Sequence, residues 1–219
     1  MEKFINTQES VPVPKVEVEP EFRGFIPQEF LVDPKGYFER EGKNIKTGEK
    51  KIDENGVVRE DPTAVKDLPT WKNNEGIELK TVARHVDTKK GKAGESGDPF
   101  YEYKIQEQLR QLGLPAAKPI AKAEQAGDHI IVMECIPGLR WSERDSLNLK
   151  EQGYSEEDLS NLMVQTEQKM DELKTKFEQV GVVRGWKLKD MVIQIDFDHK
   201  QVLSVIPTDW ERTKIITRG

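Results

Sequence analysis

Two stretches of the chain place apolar residues at helical spacing. The first begins after Asp98, which can cap a helix, and its apolar stripe consists of Tyr101, Ile105, Leu109 and Leu112. The second begins at Ser155 with the pattern of a capping box and runs to about Val180. Its apolar face consists of Leu159, Leu162, Met163, Met170, Leu173, Phe177 and Val180. These patterns predict a short helix and a long helix in the second half of the chain.

Apolar runs typical of strands surround these helices. Residues 76–87 partly alternate apolar and polar side chains, which favours one strand or a hairpin. Two apolar runs follow the first helix, and the second of them, residues 128–138, ends at a Pro-Gly breaker. Two further runs, residues 191–195 and 202–206, are joined by a polar link and predict a β-hairpin.

The N-terminal third of the chain is more irregular. Residues 1–21 alternate apolar residues with proline or charge and predict an extended tail, either a disordered leader or an arm that docks on a partner. Residues 22–75 hold a dense group of aromatic residues between turn signals, which predicts an N-terminal extension with short β elements. Within this extension, Asn55-Gly56 predicts a hairpin turn.

Composition narrows the classes of function. The 219 residues carry a net charge of −6, which argues against broad binding to nucleic acids or anionic membranes. We expect a protein partner or a large assembly. The single cysteine, Cys135, excludes an internal disulfide framework. It lies in an apolar run, which predicts a small, buried apolar side chain. No apolar run approaches the ~20 residues of a membrane span, and the N-terminus lacks a signal-peptide core. We therefore expect a soluble, intracellular, cytoplasmic protein.

Three motifs occur in a meaningful order. Glu102-Tyr103-Lys104-Ile105, followed by Leu-Gly-Leu-Pro at residues 112–115, comes first. The run Ile-Val-Met-Glu-Cys-Ile-Pro-Gly at residues 131–138 comes second, and Asp209-Trp210-Glu211 comes third. Together with the order of helices and strands, this set resembles the kinase-like phosphotransferases, above all the aminoglycoside or small-molecule branch and the small bacterial lipopolysaccharide-type kinases. The three motifs are similar to that branch's regulatory-helix, hinge and metal-binding patterns.

The resemblance implies an α+β fold in two parts. Residues 76–138 would form a kinase-like small lobe and hinge, with an antiparallel sheet and one helix. Residues 139–219 would form a minimal helical large lobe with a β-hairpin. Only ten residues follow Asp209, so the resemblance implies a large lobe truncated at its C-terminus.

The resemblance also implies a nucleotide site. The cation on the phosphates would be Arg84 or His85, depending on the register, with Lys80 as a third candidate on the same strand. Glu102 would hold that cation, and Glu134 and Ile136 would lie at the hinge. If the site is active, ATP would be the cofactor, and Mg²⁺ would be held by the acidic residues Asp190 and Asp209.

The catalytic loop departs from the family's pattern H-G-D-x-x-x-x-N. Arg184 aligns with the histidine and Trp186 replaces the aspartate that serves as the base, while Asp190 or Met191 replaces the asparagine. No glycine-rich loop precedes the first strand. An indole cannot accept a proton, so this loop predicts no confident catalytic residue.

Three hypotheses follow for the function. The first is a degenerate kinase-like domain, a pseudokinase, that acts as a binding or structural module for a macromolecular partner. The second is a divergent but active phosphotransferase that uses ATP and Mg²⁺ with Arg84 or His85, Glu102 and Asp209. The third is a subunit of a large macromolecular assembly, since a charged chain with a proline-rich leader is common in such subunits.

Overall fold

A computed structural model describes residues 13–44, 51–52, 58–59, 65–86, 97–140, 148–210 and 212–216. The chain divides into two compact units. The first comprises Met1–Lys90 and Ile120–Val132, and the second comprises Gly91–Pro119 and Met133–Gly219. The predicted segments 22–75 and 76–138 therefore do not correspond to separate units, because the aromatic N-terminal segment belongs with the sheet.

The first unit is built on a six-stranded sheet. Its strands are β1 (Lys15–Val18), β2 (Lys43–Asn44), β5 (Val65–Asp67), β8 (Thr81–Val86), β9 (Pro119–Gln125) and β10 (Asp128–Glu134). Their spatial order is β1-β9-β10-β8-β5-β2. The turn between β9 and β10 is two residues long, and both Ala126 and Gly127 have positive φ, as a tight hairpin requires.

Two small antiparallel pairs accompany this sheet. β3 (Lys51–Ile52) pairs with β4 (Val58–Arg59), and β6 (Trp71–Lys72) pairs with β7 (Glu78–Leu79). The turn predicted at Asn55-Gly56 lies outside the described residues, although β3 and β4 flank it.

Two helices, α1 (Gln28–Val32) and α2 (Pro34–Glu41), occupy a stretch for which the sequence predicted short β elements, so that prediction was wrong here. The reason is local. Asp33 caps α2 by accepting a hydrogen bond from the backbone N–H of Gly36 at 3.1 Å, and Pro34 supplies the first helical residue. The Asp-Pro pair that suggested a turn is therefore a helix start.

The core of the first unit joins residues of the sheet to residues of the aromatic segment. Its buried members are Phe22, Phe30, Tyr37, Phe38, Leu68, Trp71, Ala83, Ile120, Ala121, Ala123, Ile130 and Val132. The indole of Trp71 donates a hydrogen bond to the Tyr37 hydroxyl at 3.1 Å, which satisfies both buried polar groups. The aromatic segment that contains α1 and α2 thus covers the sheet.

The predicted N-terminal tail is partly structured. β1 pairs antiparallel with β9, so Lys15–Val18 form an edge strand, and Val16 and Val18 pack against the core. The extended conformation predicted for this stretch is confirmed at Lys15–Val18, where the alternative of a disordered leader was wrong. Residues 1–12 lie outside the described residues.

The second unit contains the predicted helices. They are α3 (Tyr101–Gln111), a helical turn α4 over residues 148–151, and α5 (Glu156–Gln179). Its strands are β11 (Val182–Val183), β12 (Met191–Asp196), β13 (Gln201–Pro207) and β14 (Lys214–Ile215). β12 and β13 form the predicted antiparallel hairpin, with an irregularity between Gln194 and Ile195.

The long helix α5 is fixed at its start and along its face. The Ser155 hydroxyl accepts from the Asp158 N–H at 3.0 Å, and the Asp158 carboxylate accepts from the Ser155 N–H at 2.8 Å, which is the predicted capping box. Its buried face carries Leu159, Leu162, Thr166, Leu173 and Phe177. Val180, predicted on the same face, is instead 39% exposed at the end of the helix.

A return strand closes the second unit. β11 and β14 pair antiparallel, and the N–H of Ile216 donates to the carbonyl of Gly181 at 2.8 Å. Gly181 has φ +80°, and a Cβ there would collide with the Ile216 carbonyl, so only glycine suits this position.

The α+β class predicted from the sequence is confirmed, with an antiparallel sheet in one unit and a long helix with a β-hairpin in the other. Cys135 is half-buried rather than fully buried. No helix among the described residues combines the length and the apolar composition needed to cross a bilayer.

Candidate functional site

The two residues proposed as the phosphate-binding cation lie on opposite faces of β8. Side chains alternate along a strand, so His85 shares a face with the core residue Ala83, whereas Arg84 shares the other face with Val82. The His85 ring lies beside Phe38 of α2, with the ring centroids 6.0 Å apart. The two registers left open by the sequence therefore aim at different surroundings.

His85 belongs to a network that holds α2 on the sheet. Its Nε2 atom lies 2.8 Å from Oδ1 of Asp128, and Oδ2 of the same carboxylate lies 2.7 Å from the Lys35 ammonium. Burial acts to raise the pKa of Asp128, but the hydrogen bonds from Lys35 and His85 outweigh it, so this pKa lies below its usual value. The carboxylate is thus ionised at neutral pH and joins α2, β8 and β10.

A neighbouring amide strengthens the same attachment. The Gln125 side chain accepts from the backbone N–H of Lys35 at 2.9 Å and donates to the Asp33 carboxylate at 3.1 Å. Asp33 also accepts from Arg40 at 3.0 Å. In this position His85 fastens the helix to the sheet, while Arg84 is half-buried on the opposite face.

The other nucleotide-site candidates lie in the second unit. Glu102, in the first turn of α3, is only 6% exposed, so a solvent-facing helix position was the wrong alternative for it. Glu134 is exposed at the end of β10 and Ile136 is half-buried in the hinge-like stretch that follows. This stretch is bound to β12, because Leu139 and Ile193 exchange backbone hydrogen bonds of 2.8 and 2.7 Å.

The catalytic-loop position holds an arginine packed on aromatic rings. The Arg184 guanidinium lies 5.2 Å from the centroid of the Trp186 ring and 4.5 Å from that of Trp210. Phe177 of α5 stacks on Trp210 at 6.1 Å and meets Trp186 edge to face at 5.3 Å. Cation–π attraction and ring packing together fix this side chain. We call these four residues the Arg184 cluster.

The two predicted metal ligands act on the same guanidinium. Burial lowers the pKa of Arg184 to about 10, and the negative charges of Asp209 and then Asp190 oppose that change. The guanidinium therefore stays charged at neutral pH. Its Nη1 atom is buried and has no hydrogen-bond acceptor among the described residues. Asp190 and Asp209 therefore both lie within electrostatic reach of the Arg184 guanidinium.

The fit of these carboxylates to Mg²⁺ is poor. Magnesium prefers carboxylate oxygens with uncompensated negative charge, and Arg184 already compensates part of the charge of Asp190 and Asp209. Within the described ranges, no group of three or more His, Cys, Asp or Glu side chains is gathered closely enough to hold a metal ion. Trp186, at the position of the base, offers only an indole N–H donor.

Sequence reasoning missed the partner residues in both the His85 network and the Arg184 cluster. Asp128 and Lys35 lie 93 positions apart in the chain, and no local pattern pairs them. Trp210 and Phe177 were seen as a motif residue and a helix-face residue, not as partners of Arg184. The available signal was composition: a tryptophan two residues after Arg184 and another beside Asp209 make cation–π packing a reasonable expectation.

Comparisons with known proteins find similar chains among solved structures. No protein-family model matches the chain, and no curated protein sequence matches it. Among solved structures, the kinase PK-1 of the Cydia pomonella granulovirus is similar over 87% of this chain, with 13% identity and a TM-score of 0.38. The chain spans 58% of the length of that kinase.

Proposed function

We propose that this chain is a kinase-like domain that does not transfer phosphate and instead binds a macromolecular partner. The order of its elements supports the kinase-like part: a sheet, helix α3, a hinge-like stretch, the long helix α5, a hairpin and then Asp209-Trp210. The observation that carries the inactive part is the Arg184 cluster.

The chemistry of phosphate transfer explains why. A kinase needs acids that hold Mg²⁺ and an acceptor base that orients the attacking hydroxyl. A guanidinium is a permanent cation at neutral pH. Arg184 therefore competes with the metal for electrostatic interaction with the carboxylates of Asp190 and Asp209. Trp186 removes the proton acceptor. Arg184, which opposes metal binding, and Trp186, which replaces the proton acceptor, lie on the same loop. The packing of Trp186 against Phe177 holds the loop in this conformation.

Nucleotide binding is the direct test. We would measure the thermal stability of the full chain with millimolar ATP, with and without Mg²⁺. We expect no shift in the melting temperature. A ligand present at about 100 times its Kd stabilises a protein by about 2.7 kcal/mol, so binding would be evident. A Mg²⁺-dependent shift that Asp209→Ala abolishes would contradict this expectation and favour the alternative, a divergent active phosphotransferase.

A second variant tests the role of the guanidinium itself. Arg184→Gln keeps a polar side chain but leaves the charges of Asp190 and Asp209 uncompensated. We expect the variant to gain a stabilisation by millimolar Mn²⁺ or Mg²⁺ that the wild type lacks, measured against its own metal-free melting temperature. Adding Asp209→Ala to this variant should remove the gain. An equal response to metal in wild type and Arg184→Gln would contradict the proposed competition.

A further inference from the structure

Two segments of the second unit run side by side along its surface. The N–H and hydroxyl of Thr208 both donate to the carbonyl of Asp190, at 2.9 and 3.1 Å. Arg184 lies over the Trp210 ring, and Val183 pairs with Lys214 in the β11–β14 ladder. The contacts join residues 182–190 to residues 208–210 and 212–216. We call this surface the basic strip.

The charge of the basic strip is opposite in sign to that of the chain. In sequence, residues 184–190 and 208–214 hold five cations and three acids, whereas the whole chain has a net charge of −6. Two of the acids, Asp190 and Asp209, act on Arg184. Three exposed cations have no ion-pair partner among the described residues: Lys187, Lys189 and Arg212. These charges are available to an incoming anionic group.

Exposed aliphatic side chains occur on, or next to, the same two segments as these cations. Val183 is 51% exposed and Ile216 is 56% exposed, while their ladder neighbours Val182 and Ile215 face the core of the unit. Val180, at the end of α5, adds a third exposed aliphatic group next to Gly181. A surface that combines unpaired cations with exposed aliphatic groups suits a ligand with both acidic and apolar side chains.

We infer that the basic strip docks an acidic peptide segment of a protein partner, one in which aliphatic residues accompany glutamate or aspartate. This inference rests on the proposed function, for which it names a surface and a partner. The unpaired cations favour an acidic ligand because the charges are complementary. The exposed aliphatic side chains of Val183 and Ile216 favour a peptide over a nucleic acid, because a peptide can carry apolar side chains that pack on them. Proteins that bind single-stranded nucleic acids commonly stack bases on exposed aromatic rings, yet Trp210 is fully buried and Trp186 packs on Phe177.

The test is a binding measurement with a defined probe. A short fluorescein-labelled peptide that alternates glutamate with isoleucine would be titrated with the full chain at low salt, and fluorescence anisotropy would report binding. The same peptide with lysine in place of glutamate, and single-stranded oligothymidine, serve as the other probes. We expect the acidic peptide to bind and the two other probes to bind at least about tenfold more weakly.

Two charge-reversed variants are matched in composition. Lys187→Glu, Lys189→Glu and Arg212→Glu together reverse the strip, and should weaken binding of the acidic peptide by at least about tenfold. Arg23→Glu, Lys43→Glu and Lys80→Glu make the same change of net charge at exposed positions of the first unit, and should alter binding by less than about twofold. If circular dichroism shows that the charge-reversed variant does not fold, the variant with glutamine at the same three positions tests whether these cations bind the acidic peptide.

Several results would overturn the inference. The wild type would show no binding of the acidic peptide, or both triple variants would weaken it equally, which indicates net charge alone. Tighter binding of oligothymidine would assign the strip to nucleic acid. The proposed function fails separately, through a Mg²⁺-dependent response to ATP in the thermal assay. A chain that binds neither ATP nor the peptide would keep the inactive kinase-like domain and lose this docking surface.

Discussion

In the unit built on the six-stranded sheet, the charged side chains around α2 are paired with one another. Asp128 binds both Lys35 and His85, and Asp33 binds Arg40. Along the basic strip of the other unit, three exposed cations have no ion-pair partner among the described residues. The first arrangement joins elements of the fold, whereas the second leaves charge for something outside the chain.

The positions at which catalytic residues were expected do not share this difference. His85 and Arg184 both occupy positions at which the family resemblance predicts catalytic chemistry. His85 is bound to a carboxylate and holds a helix on the sheet, and Arg184 is held by rings and offsets two carboxylates. In both units the polar group at the candidate site is engaged by the protein's own side chains.

The largest effect should come from the ring at the centre of the Arg184 cluster. Trp210 is fully buried and stacks on Phe177, so Trp210→Ala should lower the free energy of unfolding by about 3–5 kcal/mol. Urea denaturation followed by circular dichroism measures this loss. Val183→Ala, at an exposed position of the same unit, should change it by less than about 0.5 kcal/mol. Equal effects of the two substitutions would show that the Arg184 cluster does not stabilise the fold.

A smaller effect is expected in the paired network of the first unit. Asp128→Asn removes the charge shared by Lys35 and His85 and should lower the free energy of unfolding by about 1–3 kcal/mol at neutral pH. The pKa of Asp128 lies below its usual value. Its contribution is therefore present above about pH 4 and is lost as the pH falls through the folded-state pKa.

The pH dependence gives this prediction a readout of its own. Urea unfolding between about pH 3 and pH 7 should show an acid-side loss of stability in the wild type that is smaller in Asp128→Asn. Asp171→Asn, on the exposed face of α5, is the matched control and should leave that loss unchanged. A wild-type profile that both variants reproduce would show that the network does not stabilise the fold.

The smallest effect is expected at the unpaired cations. Lys187→Ala, Lys189→Ala and Arg212→Ala should each change the free energy of unfolding by no more than about 0.5 kcal/mol, because none has an ion pair to lose within the described part of the chain. Lys35→Ala, which breaks the pair with Asp128, should lose up to about 1 kcal/mol. Chemical denaturation compares the four variants. A large loss at Lys187 would mean that the strip serves the fold itself.

Periodicity was enough to predict the elements whose apolar faces are long. Helix α5, its Ser155 capping box and the β12–β13 hairpin follow from local spacing, which neighbouring elements do not override. The prediction for segment 28–41 failed because Asp33-Pro34 signals both a turn and a helix start. Only the docking of Phe30 and Phe38 on a distant sheet decides between the two.

The candidate site was predictable in its parts and not in its assembly. The motif order named Asp190, Asp209 and the substituted Trp186 as candidates, because these depend on identity and spacing alone. Strand alternation separates Arg84 from His85, but it does not tell which face is covered. Likewise, the meeting of Arg184 with Trp210 depends on how residues 182–190 and 208–216 return to each other, which is a property of the folded chain.

The attachment of α2 has a consequence for the order in which the chain can fold. The two hydrogen bonds of Gln125 close loops of 90 and 92 residues, to Lys35 and to Asp33. Contacts between such distant residues form late, since the entropy of loop closure must be overcome first. At ribosomal speeds, about 5–20 seconds separate the synthesis of α2 from that of the β9–β10 hairpin. During that interval the aromatic side chains of the nascent N-terminal segment lack their sheet, and they are a natural target for chaperones.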